Sequence, residues 1–143
     1  MAETKVSTVV DTPAERLWEL IGDFHRLGHW HPDLPESRPG NELTGNAIGT
    51  VRVFEFGGTV LHETLLGYNG EARSYTYSFP DGTFELLHYR ATLRVTPVTQ
   101  ADASFVEWNA TYDVEAGHRK ASGDLVHGVF SAGLTALRER FAG

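Results

Sequence analysis

The stretch Tyr89-Arg90-Ala91-Thr92-Leu93-Arg94-Val95 puts its apolar residues on one parity and its arginines on the other. That period of two belongs to a strand with one face buried and the other in water. Val106-Glu107-Trp108-Asn109-Ala110-Thr111-Tyr112 and Tyr75-Thr76-Tyr77-Ser78-Phe79 repeat it. Half-buried antiparallel strands follow. Leu61-His62-Glu63-Thr64-Leu65 keeps the period but changes the chemistry, because the parity flanked by leucines carries Glu63. An ionisable group then faces the side on which Tyr77, Tyr89 and Trp108 also lie. A buried carboxylate is costly unless something answers it. The face therefore reads as the lining of a partly wet cavity rather than a dry core.

Working upstream, Thr50 to Phe56 reads as a strand, Gly57-Gly58 as a tight hairpin turn and Thr59 to Leu66 as the partner strand. Gly67-Tyr68-Asn69-Gly70 and Pro80-Asp81-Gly82 supply further turns, and Pro97 to Asp102 separates the last two strands. Lys5 to Val10 is β-rich and leads into Asp11-Thr12-Pro13-Ala14-Glu15. Here Thr12 is expected to cap a short helix, Pro13 to take its first position and Glu15 to close a capping box. Leu17, Trp18, Leu20 and Ile21 form its apolar face, and Gly22 is the expected left-handed stop. From Asp23 to Gly49 the periodicity fades. Pro32, Pro35 and Pro39 mark a connector with one weak edge strand and a brief helical turn at Phe24 to Leu27.

Past Gly117 the period becomes about 3.6. Leu125, Val129, Gly133, Leu137 and Phe141 lie on one line of i+4 steps, opposite Asp124, His127, Ser131, Thr135 and Arg138. A long C-terminal helix is predicted. Gly133 in its apolar stripe costs about 1 kcal/mol relative to Ala, which marks a place where space is needed. The element order gives one α+β domain, residues 1 to 143, whose sheet buries a face by curling around the last helix. Aromatics are expected to floor a hollow that Ala132 and Gly133 keep open.

At 143 residues the chain has room for a sizeable core without disulfides or metal. Twelve basic against nineteen acidic residues leave a net charge of −7, which repels nucleic acid and anionic membrane at long range. The absence of cysteine excludes thiol nucleophiles and Zn-thiolate sites. No basic and apolar leader opens the chain and no apolar run reaches the roughly 18 residues of a membrane span, so the cytoplasm is the expected compartment. Nothing among the seven histidines has metal-ligand spacing, and His62, His88 and His127 fall on polar faces. The glycine pairs sit in hairpins rather than between a strand and a helix, so neither a metal nor a nucleotide cofactor is expected.

Two polar residues invite opposing interpretations. Glu63, desolvated among aromatics, would have a raised pKa suited to acid or base chemistry; alternatively it pairs with Arg52 across the hairpin as a satisfied ion pair. Arg52 lies on the side of Phe54 and Phe56 and would either fix a ligand carboxylate, phenolate or carbonyl or reach solvent at the end of the sheet. Tyr77, Tyr89 and Trp108 are either an aromatic core or the walls and polar anchors of a pocket for a planar ligand.

The capped helix, Gly22-Asp23-Phe24 leading to Trp30-His31-Pro32, the strand around Glu63, the strand Tyr89 to Val95, Val106-Glu107-Trp108 and the ending Gly128-Val129-Phe130-Ser131-Ala132-Gly133-Leu134 together resemble the START-related SRPBCC superfamily. The nearest branch is the polyketide cyclase/dehydrase-like group of small bacterial proteins. The resemblance implies a helix-grip (START/Bet v 1-like) fold with two short helices after the first strand and a ligand cavity between sheet and C-terminal helix. It places cavity positions at His31, Arg52, Phe54, Phe56, Glu63, Tyr75, Tyr77 and Phe79. Further along the chain it adds Leu86, Tyr89, Trp108, Ala110, Leu125, Val129 and Gly133, and Trp30 joins them beside His31. It also implies that His31 faces the cavity mouth, where it would either shuttle a proton or pack on Trp30.

These readings converge on a small hydrophobic, aromatic or polyketide-like ligand held by a monomer or homodimer. Glu63, Arg52 and His31 are the expected catalytic set if the ligand is cyclised or dehydrated. A carrier or sensor holding the same ligand unchanged is the alternative.

Overall fold

A computed structural model describes residues 1–143. The alternating segments form one seven-stranded antiparallel sheet of order β1-β7-β6-β5-β4-β3-β2. Its strands are β1 (Ala2–Val10), β2 (Arg38–Pro39), β3 (Val51–Phe56), β4 (Thr59–Asn69), β5 (Ser74–Ser78), β6 (Leu87–Val98) and β7 (Ala103–Asp113). The helices are α1 (Ala14–Ile21) and α2 (Arg119–Arg140), with a 3-10 helix over Phe24–His29 and shorter 3-10 turns at Thr83–Glu85 and Ala116–His118. This is the expected helix-grip architecture: a curved sheet around a long C-terminal helix.

The parities hold residue by residue. Tyr89, Ala91, Leu93 and Val95 of β6 are buried, as are Val106, Trp108, Ala110 and Tyr112 of β7 and Tyr75 and Tyr77 of β5. β1 pairs antiparallel with β7, setting Val6 opposite Trp108, so the start of the chain is held by its last strand. Gly57 and Gly58, at φ 60° and 78°, make the mirror-image turn that matches the twist of a β3–β4 hairpin.

Four local expectations are corrected. Thr12 does not cap α1: Pro13 is the N-cap, with no side-chain cap bond, and Glu15 pairs with Arg73 rather than closing a box. The Thr12 carbonyl instead accepts the Ser104 hydroxyl at 2.7 Å, which ties the helix start to β7. Gly22 is right-handed at φ −79°. Its missing side chain serves packing, since a Cβ would lie 2.5 Å from the Trp18 indole. The turn expected at Gly67 to Gly70 is displaced because β4 runs on to Asn69 through a bulge at Leu66.

The buried stripe of α2 is also rotated from the expected one. Ser122, Val126, Phe130, Gly133, Leu134 and Leu137 are buried, whereas Leu125, Val129 and Phe141 are half-buried. Phe130 decides the rotation by stacking on Trp108, with ring centroids 4.5 Å apart and planes 14° off parallel.

Candidate functional site

Arg52 and Glu63 are directly opposed in the β3–β4 register, so the hairpin itself brings them together. Arg52 Nε donates to Glu63 Oε1 at 2.8 Å, and Nη2 lies 2.7 Å from the same oxygen without aiming a hydrogen at it. Nη1 donates to the Phe24 carbonyl at 2.7 Å. The guanidinium sits 3.9 Å over the Phe24 ring and 4.8 Å from the centre of Tyr77, a desolvated cation enclosed by aromatic faces. Arg52 has no accessible surface and is absent from the cavity wall, so its unpartnered Nη2 does not face a ligand there. Burial works against its charge, but Glu63, Tyr75 and Tyr77 outweigh burial and move its pKa up.

Glu63 is different because only one of its oxygens is engaged. Both guanidinium nitrogens converge on Oε1, and Oε2 accepts no hydrogen bond from the chain. Burial pushes the carboxyl above the usual range while Arg52 pulls it back. The pair thus combines both sequence readings: an internal ion pair, and a carboxylate facing a cavity.

That cavity measures about 30 Å³, roughly the share of one water in the liquid. The sheet contributes Phe54, Phe56, Leu61, Glu63, Tyr77, Phe79, Tyr89 and Trp108 to its wall. Leu125, Val126, Val129 and Phe130 of α2 close the opposite side, and Leu27, Leu34 and Phe84 complete it. Glu63 is the only charged residue among them. The aromatics are ordered by one another: Trp108 Nε1 donates to the Tyr77 hydroxyl at 3.0 Å, and Phe79 stacks on Tyr89 at 3.9 Å. Burial raises the pKa of both Tyr77 and Tyr89, with the Glu63 charge adding to it, so both phenols stay protonated.

Nine of the expected positions therefore meet at the wall: Phe54, Phe56, Glu63, Tyr77, Phe79, Tyr89, Trp108, Leu125 and Val129. Arg52, paired with Glu63, and Tyr75, Trp30, Leu86 and Ala110 are buried without reaching the wall. His31 is not at a cavity mouth. Its Nε2–H donates to the Val129 carbonyl at 2.7 Å and its Nδ1 accepts the Asp33 N–H at 3.1 Å. A carbonyl only accepts and an amide only donates, so this pairing selects the neutral tautomer. Burial lowers its pKa against the opposing pull of the Val129 carbonyl and Asp33. The imidazole is a strut joining the connector to α2.

Gly133 is corrected for the same reason. A Cβ there would lie 2.8 Å from His31 Cδ2 and 2.9 Å from Trp108 Cζ3. The space it frees is filled by two rings rather than left as a hollow.

The sequence reading missed Leu27, Leu34, Leu61, Phe84, Val126 and Phe130. Leu61 shares the parity of Glu63, so the alternation already carried its signal. Val126 and Phe130 lie one residue along the expected helix stripe. Phe84 had no periodic signal because it belongs to a loop, where its ring meets Phe56 and Phe79 at centroid distances of 6.2 and 6.3 Å. The loop is strained: Phe84 and Glu85 have φ of 52° and 64°, and His88 at the start of β6 has 56°, all in the left-handed region. Ser122 of α2 holds it by donating to the Phe84 carbonyl at 2.9 Å.

No group of three or more His, Asp or Glu side chains is placed to hold a metal ion, and no helix is long and apolar enough to cross a membrane. Residues 1–142 match the family described as polyketide cyclase / dehydrase and lipid transport. No curated protein matches the chain. Among solved structures it is similar to the protein XoxI from Bacillus cereus, at 34% identity and TM-score 0.83 over 99% of this chain and 96% of that one. A protein from Thermobifida fusca is similar at 33% identity and TM-score 0.87, over 99% and 93% of the two chains. Norcoclaurine synthase from Thalictrum flavum shares the fold at 16% identity and TM-score 0.72, over 96% of this chain and 84% of that one.

Proposed function

Since the chain belongs to the polyketide cyclase/dehydrase and lipid transport family, we propose that it binds a small, largely apolar, aromatic or polyketide-like molecule between the sheet and α2, and holds it as a carrier or sensor. The observation that carries this reading is the wall itself, a continuous apolar and aromatic surface interrupted only by Glu63. Pockets for small organic ligands have that composition, with few polar anchors. Such ligands need several hundred Å³, far more than the 30 Å³ of the closed form. Binding on this reading requires an opening movement.

The Phe84 loop is the natural element to move. Its left-handed residues favour release, and its single side-chain tie to α2 is the Ser122 bond to the Phe84 carbonyl. Displacing the Phe84 ring uncovers Phe56 and Phe79 without breaking a strand ladder. Retention of the ligand unchanged is supported by the state of the expected catalytic groups. Arg52 is sealed from the cavity, with Nε on Glu63 and Nη1 on the Phe24 carbonyl, and His31 is neutral with both nitrogens occupied.

Cyclisation or dehydration is the second reading, favoured by the upward shift of a carboxyl that lines the cavity and has one oxygen unengaged. Glu63 would then act alone as acid or base, with the pocket supplying orientation.

Fluorescence titration with N-phenyl-1-naphthylamine, a neutral apolar probe, tests the binding reading. Saturable one-to-one binding is expected, abolished by Val129→Trp and accelerated by Phe84→Ala. No saturable binding by the folded wild-type protein would end it.

A further inference from the structure

Resting on the ligand-binding reading, we infer that the cavity selects neutral molecules whose inner end bears a hydrogen-bond donor, such as a phenol, enol or alcohol, and rejects carboxylates. The determinant is the unengaged oxygen of Glu63.

Geometry assigns the polarity. An arginine near a pocket ordinarily suggests an anion site, but Arg52 has no exposed surface and is not part of the wall; Nε bonds Glu63 Oε1, Nη1 bonds the Phe24 carbonyl, and the unpartnered Nη2 is buried with them. What the cavity meets is the carboxylate that neutralises it. Glu63 is 5% exposed, lies among Leu61, Tyr77 and Tyr89, and has no hydrogen bond to Oε2. An ionised carboxylate only accepts. A ligand hydroxyl donating to Oε2 gains a charge-assisted bond in a site of low dielectric. A ligand carboxylate would set a second negative charge against Glu63 with no free cation in the wall to answer it. A methyl ether would bury Oε2 without a partner, which wastes its desolvation.

The nearby phenols do not reverse this polarity. Tyr77 already accepts from Trp108, and both it and Tyr89 keep their protons. They are able to donate to an oxygen of the same ligand group, so a hydroxyl that donates to Glu63 and accepts from a tyrosine fits best. The net charge of −7 acts in the same sense on approach.

Three probes of one shape decide the matter: 4-ethylphenol, 4-ethylanisole and 4-ethylbenzoate, titrated at pH 7 and followed by calorimetry and ligand-observed NMR. The wild-type protein is expected to bind the phenol at least tenfold more tightly than the ether and the benzoate least of all. Glu63→Gln, which presents a donor as well as an acceptor, is expected to narrow the phenol preference and raise benzoate affinity at least threefold. Near-UV circular dichroism establishes that this variant is folded; should it not fold, the order of affinities in the wild-type series is sufficient to decide. Equal binding of phenol and ether, preferred binding of the benzoate, or unchanged discrimination in folded Glu63→Gln overturns the inference while leaving the cavity reading intact. Failure of all three probes to bind removes both.

Discussion

At the scale of single residues, the Arg52–Glu63 pair shows how a hairpin register becomes an electrostatic commitment. The two are directly opposed, and both are buried. Each is tolerable only because of the other. Glu63→Ala should therefore cost about 3–5 kcal/mol, since it leaves a buried cation unpaired. Replacing both partners, as Arg52→Met with Glu63→Leu, should recover most of that loss. Urea denaturation of the two variants measures the difference; a single variant as stable as the wild type would disprove the coupling. The alternation around Leu61 to Leu65 made the carboxylate legible, and the hairpin made its partner legible. Which oxygen stays free was not legible, because that depends on guanidinium orientation fixed by the Phe24 carbonyl, 28 positions away from Arg52 in sequence.

At the scale of elements, α2 and the connector are joined where the helix is thinnest. His31 and Trp108 occupy the volume that a side chain at position 133 would need. Ala is the better helix former by about 1 kcal/mol, yet overpacking a filled site costs about 1–3 kcal/mol. Gly133→Ala should accordingly lower stability or leave it unimproved, and thermal denaturation tests this; a gain in Tm would show that the two rings yield freely. The existence of α2 was readable from its 3.6-residue period, but its rotation was not. Ambiguities between neighbouring stripes are settled by what each side chain packs against, and here Phe130 packs on Trp108. Likewise Thr12 and Glu15 had the pattern of a capping box, but the tie from Ser104 and the pairing with Arg73 replaced it.

At the scale of the whole molecule, stability should depend on pH through histidines whose pKa folding lowers. Burial lowers the pKa of His31 and of His25 below the ordinary 6.5, with Val129 and Asp33 opposing at the first and Asp23 opposing at the second. A depressed folded pKa means that the stabilisation is fully present above 6.5 and is lost as pH falls from there through the folded value, because the unfolded chain takes up protons first. His31→Gln keeps a donor for the Val129 carbonyl without titrating, so its stability should fall less steeply than that of the wild type between pH 7 and 5. Parallel curves in paired urea titrations would contradict this account. On the same scale lies the division between sequence and fold. Alternation, turn chemistry and the change of period determined the strands, the helices, their order and the face carrying Glu63, because these are local consequences of which side chains tolerate water. Only the tertiary structure decided that Arg52 is walled off, that His31 braces α2 and that Phe84 joins the lining of a cavity of about 30 Å³. Those outcomes depend on how rings and charges from distant segments share one small volume, and no local pattern encodes that sharing.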